Sequence, residues 1–387
     1  MHAVMKVLPL LLLVVLAGCR QPALSQQSPP PQTVEIPDDE QAQERLEADL
    51  LRSRRTAITR AVEAAAPAVV SINVIEVRQV RYRDPFADFF DQFYGRRPRD
   101  RVYQQQVQGI GSGFVISPDG YIVTNDHVAG NASKITVAFP DGTQLPGTLI
   151  GSDPETDIAL VKVEPEKPLP YLAFDEQHDA LVGEWAIALG NPFGLFEAAE
   201  PSVTVGVVSA IGRDFPVQEG RIFRDMIQTD AAINQGNSGG PLVNALGRVI
   251  GMNTFIYSRT GGSVGIGFAV PAWRVERVVA ELRERGVVDR SFYTGLNVQP
   301  VNERVARALD LPEAAGLIVR SVDADSPAEA SGFRPYDVVV AIEGEPVASN
   351  ADVRQRLLDY RAGDTVRVTI VRDGRTLEVP LHLAPTG

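Results

Sequence analysis

A mainly-β fold is predicted for this chain, built as antiparallel barrels with a smaller β-rich module behind them. Three observations carry that expectation. Residues 134–139, 185–189, 203–211 and 248–253 are short runs rich in β-branched side chains and punctuated by Gly and Pro, as the strands of antiparallel barrels are. An amphipathic helix is expected at residues 272–285, with Val275, Val278, Val279 and Leu282 on one face and Gly286 as its stop. Beyond residue 291 a second set of apolar runs begins, so the 387 residues, 44% of them hydrophobic, accommodate two folded domains and a leader.

Taken in order, Lys6 precedes an apolar run over residues 7–17 that closes on Leu16, Ala17, Gly18 and Cys19. The run is shorter than the roughly 20 residues that span a bilayer, so a removable export signal over residues 1–19 is expected. Residues 20–40 are rich in Pro, Gln and Ser without an apolar period and read as a flexible tether. Residues 41–66 read as a helix ended by Pro67, with Leu46, Leu50, Leu51, Ile58 and Val62 as its stripe; a surface helix and an oligomer contact fit that stripe equally. The larger domain spans residues 67–271. Inside it, residues 78–106 form a long charged stretch holding Phe86, Phe89, Phe90, Phe93 and Tyr94, which fits a functional loop or a small satellite core. Residues 272–290 link this domain to the module at residues 291–387. The module's runs at 316–322, 337–342 and 365–371 are joined by a turn at Ser326, Pro327 and Ala328 and a helix at 350–358.

One run carries chemistry. Gly236, Asn237, Ser238, Gly239, Gly240 and Pro241 put a serine where only glycines let the backbone crowd a reacting carbonyl. A serine hydroxyl attacks only with a base to take its proton and N–H donors for the oxyanion that develops. Gly236, Asn237 and Ser238 make up the candidate oxyanion hole, in which the N–H groups of Gly236 and Ser238 could point at one spot, each such donor typically worth about 3 kcal/mol of barrier. By itself such a run is also ordinary turn chemistry, and the histidines decide. Of the four, His2 lies in the export signal, His178 in a polar stretch and His382 in the second module. His127 remains, in Thr124, Asn125, Asp126, His127, Val128 behind the apolar Tyr121, Ile122, Val123, which predicts an imidazole at a strand end. The carboxylate that orients it is Asp157, where a polar turn hands over to Ile158, Ala159, Leu160 and Val161 and a half-buried acid fits. Asp126 is the rival, but on extended backbone a sequence neighbour points away. The order His127, Asp157, Ser238 is neither that of α/β-hydrolases nor that of subtilisins; it is the chymotrypsin order.

On these residues the chain resembles the HtrA/Deg family of bacterial periplasmic serine proteases with one PDZ domain. The match runs from about residue 61 to the C-terminus through TNDHV, DPETDIALVKV, ALGNPFGL, QTDAAINQGNSGGPL and VGIGFAVP. The resemblance implies a chymotrypsin-like double β-barrel followed by a PDZ domain. It implies that Ile233 and Ile266 line a pocket for small aliphatic side chains and that Val264, Gly265, Ile266 and Gly267 pair with extended substrate. Arg213 and the segment to Arg224 resemble the family's sensor loop, and Phe193 with the residues to Pro201 its activation loop, which together order or collapse the oxyanion hole. The 78–106 stretch would reach across the subunits of a trimer. Tyr293, Thr294, Gly295 and Leu296 resemble the PDZ carboxylate-binding loop, with Val353 and Leu357 on the facing helix, so peptides with apolar C-termini are the expected ligands. Leu16 to Cys19 resembles a lipobox, which implies lipidation at Cys19; Arg20 in place of Asp favours the outer membrane. Asp126 departs from the Asn or Ala that many members carry, an extra carboxylate beside the base.

Composition narrows the rest. A net charge of −12 argues against a nucleic-acid partner. No metal-ligand signature and no phosphate-binding loop occur, so neither metal, cofactor nor ATP is expected, and the single cysteine leaves no internal disulfide. The expected activity is an envelope endopeptidase acting on unfolded or regulatory proteins through an acyl-enzyme. A peptide-binding chaperone or adaptor on a protease scaffold is the competing class.

Overall fold

Thr56 restarts a helix that the apolar stripe alone would have run through. In the computed structural model, which describes residues 40–82, 101–177, 180–192, 200–217, 220–234, 236–256 and 264–386, α1 (Glu40–Arg54) stops before α2 (Ala57–Ala65) begins. Thr56 caps α2 by accepting from the Thr59 N–H at 3.2 Å. The single helix expected over residues 41–66 is therefore two. Pro67 lies within a short 3-10 turn (Ala66–Ala68) that follows α2. On α1 the leucines Leu46, Leu50 and Leu51 are exposed, whereas Ala61 and Ala65 of α2 are buried in the main core. The export signal, Cys19 and the tether lie outside the described residues.

Two closed barrels follow. The first joins β1 (Val69–Tyr82), β2 (Arg101–Val115), β3 (Tyr121–Thr124), β6 (Ile158–Lys162), β5 (Gln144–Asp153) and β4 (Lys134–Ala138) in that circular order. The second joins β10 (Pro241–Val243), β11 (Val249–Ile256), β12 (Gly267–Pro271), β9 (Met226–Thr229), β8 (Ser202–Arg213) and β7 (Trp185–Gly190). Closure leaves no unpaired sheet edge in either. Ile72, Phe114, Ile122, Val137, Ile158 and Leu160 fill the first interior. β1 and β2 pair from Val69 with Phe114 out to Tyr82 with Arg101. Both ends of the expected 78–106 loop, residues 78–82 and 101–106, are therefore paired ribbon, held by main-chain bonds that polar side chains do not prevent. Phe86, Phe89, Phe90, Phe93 and Tyr94 lie outside the described residues.

Helix α4 (Ala272–Arg285) runs as predicted and ends at Gly286. Val275, Val278, Val279 and Leu282 are buried against the barrels, each contributing about 1.5–3 kcal/mol. The module beyond is an antiparallel sheet in the order β13 (Leu296–Pro300), β14 (Leu317–Val322), β15 (Val338–Ile342), β17 (Thr365–Arg372), β18 (Arg375–His382), with β16 (Glu345–Pro346) beside β15. Helices α5 (Glu303–Ala308), α6 (Pro327–Ala330) and α7 (Asn350–Arg356) complete it. β13 stands at the end of this order and pairs only with β14 among the described strands, so its other side is an open edge. A capping box, Ser349 with Asp352, starts α7.

Residues 54–387 form one compact unit, in which arginines tie the module to the barrels. Buried Arg274 of α4 donates to Asp359 through Nε at 3.0 Å and Nη2 at 2.7 Å. Arg290 grips Asp153 through Nη1 at 2.8 Å and Nη2 at 2.6 Å. Arg224 Nη1 donates to the carbonyls of Gln355 (3.3 Å) and Arg356 (3.0 Å), and Arg290 Nε to that of Leu358 (2.9 Å), at the C-terminal end of α7.

Candidate active site

Strand β3 ends in a one-turn helix, α3 (Asp126–Ala129), and this helix rather than the strand end carries His127. Its imidazole is partly exposed while Asp157 is only 1% exposed, a fully buried acid where a half-buried one was expected. His127 Nδ1 lies 2.8 Å from Asp157 Oδ2 and 3.0 Å from Oδ1, and the His127 N–H also donates to Oδ1 at 3.0 Å. Thr254 of β11 donates its hydroxyl to Oδ2 at 2.7 Å. Burial pushes the Asp157 carboxyl up, but the bonds from His127 and Thr254 and the charge of His127 outweigh it and hold the carboxyl below its ordinary value. The backbone of Asp157 is left-handed, φ 60°, a conformation Asp tolerates better than most residues. Asn125 Nδ2 fixes it by donating to the Asp157 carbonyl at 2.9 Å.

The nucleophile half is held differently. Gly236 has φ 106°, and a Cβ there would run into Pro192. Ser112 of β2 donates its hydroxyl to the Gly236 carbonyl and accepts from the Asn191 N–H at 2.7 Å, while its own N–H donates to the Ser238 carbonyl at 2.9 Å. One first-barrel serine thus holds both ends of the Gly236–Ser238 turn. The Asn237 N–H donates to Asn234 O at 3.0 Å and its side chain to Ala232 O at 3.3 Å. The Asn237 N–H is thus spent within the turn, as is its side chain. Ser238 Oγ donates to the Thr254 carbonyl at 3.0 Å. Thr254 thereby touches the acid through its hydroxyl and the serine through its carbonyl.

Ile233 is buried and packs beside Gly267, with Ile266 half-buried next to it. Val264 and Gly265 are exposed ahead of β12. Gly267 is already paired on both sides, with Ile256 and Thr229, so an added strand would have to end before it. In the module, Gly295 has φ 75°, and a Cβ there would strike Ser326. Tyr293, Thr294, Gly295 and Leu296 line a cleft of about 430 Å³ that reaches Asn350 at the start of α7 and includes Asp323, which accepts from the Tyr293 hydroxyl at 2.8 Å. Val353 is half-buried, whereas Leu357 is largely part of the module core.

Arg213 is exposed at the end of β8. This segment's contacts across to the module come instead from Arg224, which also pairs with Glu345 at 2.7 Å, and from Asp214 and the Phe215 carbonyl, which accept from Arg356 and Gln355. Phe215 and Phe223 anchor this segment on Phe255 and Phe268, with ring centroids 4.5–5.3 Å apart. Arg221 reaches Asp157 and the buried Asp126. Phe193 lies outside the described residues. Sequence reasoning missed Ser112, Asn125, Arg221 and Thr254. A buried serine flanked by glycines in a strand was the legible signal for Ser112; the other three become visible only when distant segments meet.

The model of the trypsin-like peptidase domain family matches residues 111–252, and that of the PDZ domain family matches residues 293–383. A probable periplasmic serine endoprotease, DegP-like, of Chlamydia trachomatis serovar D is 40% identical over 357 residues, covering 88% of this chain and 70% of the relative. Its counterpart in Rhizobium meliloti is 39% identical over 352 residues, covering 83% and 68%. Among solved structures, the HtrA-type protease AlgW with decapeptide superposes with a TM-score of 0.60 at 34% identity, covering 85% of this chain and 98% of that one. With two closed barrels and a PDZ sheet behind them, the chain belongs to the HtrA/DegP family of trypsin-like periplasmic serine endopeptidases.

Proposed function

We propose that Ser238, His127 and Asp157 form the catalytic triad of this endopeptidase, with the N–H groups of Gly236 and Ser238 as its oxyanion hole. The observation that carries the reading is Thr254, whose hydroxyl holds Asp157 against His127 while its carbonyl receives Ser238 Oγ. Catalysis requires the Ser238 hydroxyl to turn from Thr254 O to the imidazole. Oγ then attacks the scissile carbonyl as His127 takes its proton, and the oxyanion receives the Gly236 and Ser238 N–H groups. The imidazolium next protonates the leaving amine, and water, deprotonated by the same base, releases the acyl group. Ile233 and Ile266 shape the pocket for a small aliphatic side chain, and the strand segment Val264–Ile266 receives the substrate backbone.

The PDZ module binds apolar C-termini along the open edge of β13, with Gly295 and its neighbours receiving the terminal carboxylate, and so recruits misfolded envelope proteins or activates the protease. Arg213 and Phe193 belong to the loops that pass this signal. Cys19 carries a lipid anchor, outer-membrane facing, and the working form is a homotrimer.

A fluorophosphonate probe tests the triad. Stoichiometric labelling in the presence of a peptide with an apolar C-terminus, abolished in Ser238→Ala, is expected. An unlabelled native protein that still binds such peptides would instead make this a binding scaffold.

A further inference from the structure

Asp157 has an arginine beside it as well as the histidine. Arg221 Nε lies 3.3 Å from Asp157 Oδ1, and Nη2 lies 3.5 Å from Asp126 Oδ2. The Nε approach is a contact of charge rather than an aligned hydrogen bond. The Ile222 N–H donates to Glu155 O at 2.7 Å, which fastens the arginine's segment to the very turn that carries Asp157.

Asp126 makes this arrangement consequential. It is buried on α3 next to His127, where burial pushes its carboxyl above the ordinary range; a Ser152 hydrogen bond and the charges of Arg221 and His127 pull it down, and the charge of Asp157 raises it further. The charged groups around His127 are accordingly Asp157 from the turn before β6, bonded to its ring, with Asp126 from α3 and Arg221 from the segment after β8 linked to that carboxylate. Asp153 and Glu155, on the same turn as Asp157, are engaged by Arg290 and Arg354. Two unopposed carboxylates beside a base favour its protonated form, so a smaller share of it is free to accept the serine proton.

We propose that Arg221 is a positioning residue of the active site, offsetting the charge of Asp126 and bracing Asp157 Oδ1 so that His127 faces the net charge of a single carboxylate. The inference rests on reading His127, Asp157 and Ser238 as the triad. It gives the segment between Arg213 and Arg224 a role in the chemistry itself. It also accounts for an acid beside the base: the acid and the arginine act as a pair, and either alone would mistune the histidine.

The test is the second-order rate of fluorophosphonate labelling against pH, with the activating peptide present throughout. Arg221→Gln should move the acid limb to higher pH by about 1 unit, because a cation that disfavours the imidazolium is gone. Asp126→Asn should move it to lower pH by about as much. The double variant should return to within about 0.3 units of the native profile, and Arg221→Lys, which keeps the charge, should stay near it. A merely structural arginine would lower the rate at every pH and leave the limb in place; that result, or a double variant that keeps the displacement of Arg221→Gln, overturns the proposal. Should Arg221→Gln fail to fold, Asp126→Asn and Arg221→Lys decide: an unmoved limb in the first or a raised limb in the second overturns it. Native labelling at Ser238 that disappears in Ser238→Ala preserves the triad reading even if Arg221 fails. Absence of that labelling removes both.

Discussion

The two barrels furnish the proposed active site by different means. The first supplies His127 and Asp157 and fixes them with side chains: Asn125 on the Asp157 carbonyl and Thr254, lent by the second barrel, on its carboxylate. The second supplies Ser238 on a glycine-rich turn gripped by its own main-chain atoms, with Ser112 of the first barrel holding the Gly236 carbonyl through its hydroxyl and the Ser238 carbonyl through its N–H. A half made of side chains fails when a side chain changes charge. A half made of backbone fails when a Cβ is added. Each also borrows its main support from the opposite barrel, so neither half is complete alone.

Substitutions can separate these modes, beginning with the largest expected effect. Asp157→Asn keeps the shape but presents the wrong partner to the imidazole, and kcat should fall by about 10⁴ with little change in KM or in the circular dichroism spectrum. Gly236→Ala forces a side chain onto φ 106° and into Pro192. It should cut kcat by about 10²–10³ through the oxyanion hole while the acid limb of the pH profile stays put. A profile that moved would mean the halves are not separable.

The interdomain contact is again a side-chain device. Burial raises the Asp359 carboxyl, but the hydrogen bond and charge of Arg274 outweigh it, so the folded value lies below the unfolded one. Its stabilisation is therefore complete above the ordinary carboxylate range and is lost as the pH falls through the depressed folded value. Asp359→Asn leaves buried Arg274 without its countercharge and should lower stability near neutrality by about 2–3 kcal/mol. That gap from native should close in acid, as read by urea unfolding at two pH values. Ser112→Ala should cost less, about 1–2 kcal/mol, since one hydroxyl bridging two main-chain groups is lost. Its sharper readout is a loss of kcat without a shift of the acid limb.

Legibility in the sequence follows the same division. Val275, Val278, Val279 and Leu282 announced α4 with its observed limits, because a buried helical stripe is a local pattern. The proposed triad was assembled from sequence because four histidines allowed elimination and the chemistry demands fixed residue types, and the structure brings two of its members, His127 and Asp157, to 2.8 Å. The break at Thr56 was missed, since a cap is a single residue inside an otherwise continuous helical run. The β1–β2 ribbon was shortened in the reading because its outer residues are polar, while main-chain bonds hold it. Asn237 was grouped with the oxyanion donors because sequence does not tell which of three consecutive N–H groups the turn consumes. Arg221 and Thr254 act across 64 and 97 residues on Asp157, a relation that composition and spacing do not carry.

The end of α7 bears on how the module could ever move. A helix closes on carbonyls that lack partners of their own and concentrate negative potential there. Those of Gln355, Arg356 and Leu358 rest on guanidinium groups of Arg224 and Arg290, from outside the PDZ fold. The helix that borders the peptide cleft is thus soldered at its far tip to the barrels. A lengthwise shift of this helix would strain those joints, two of which lead to the segment carrying Arg224.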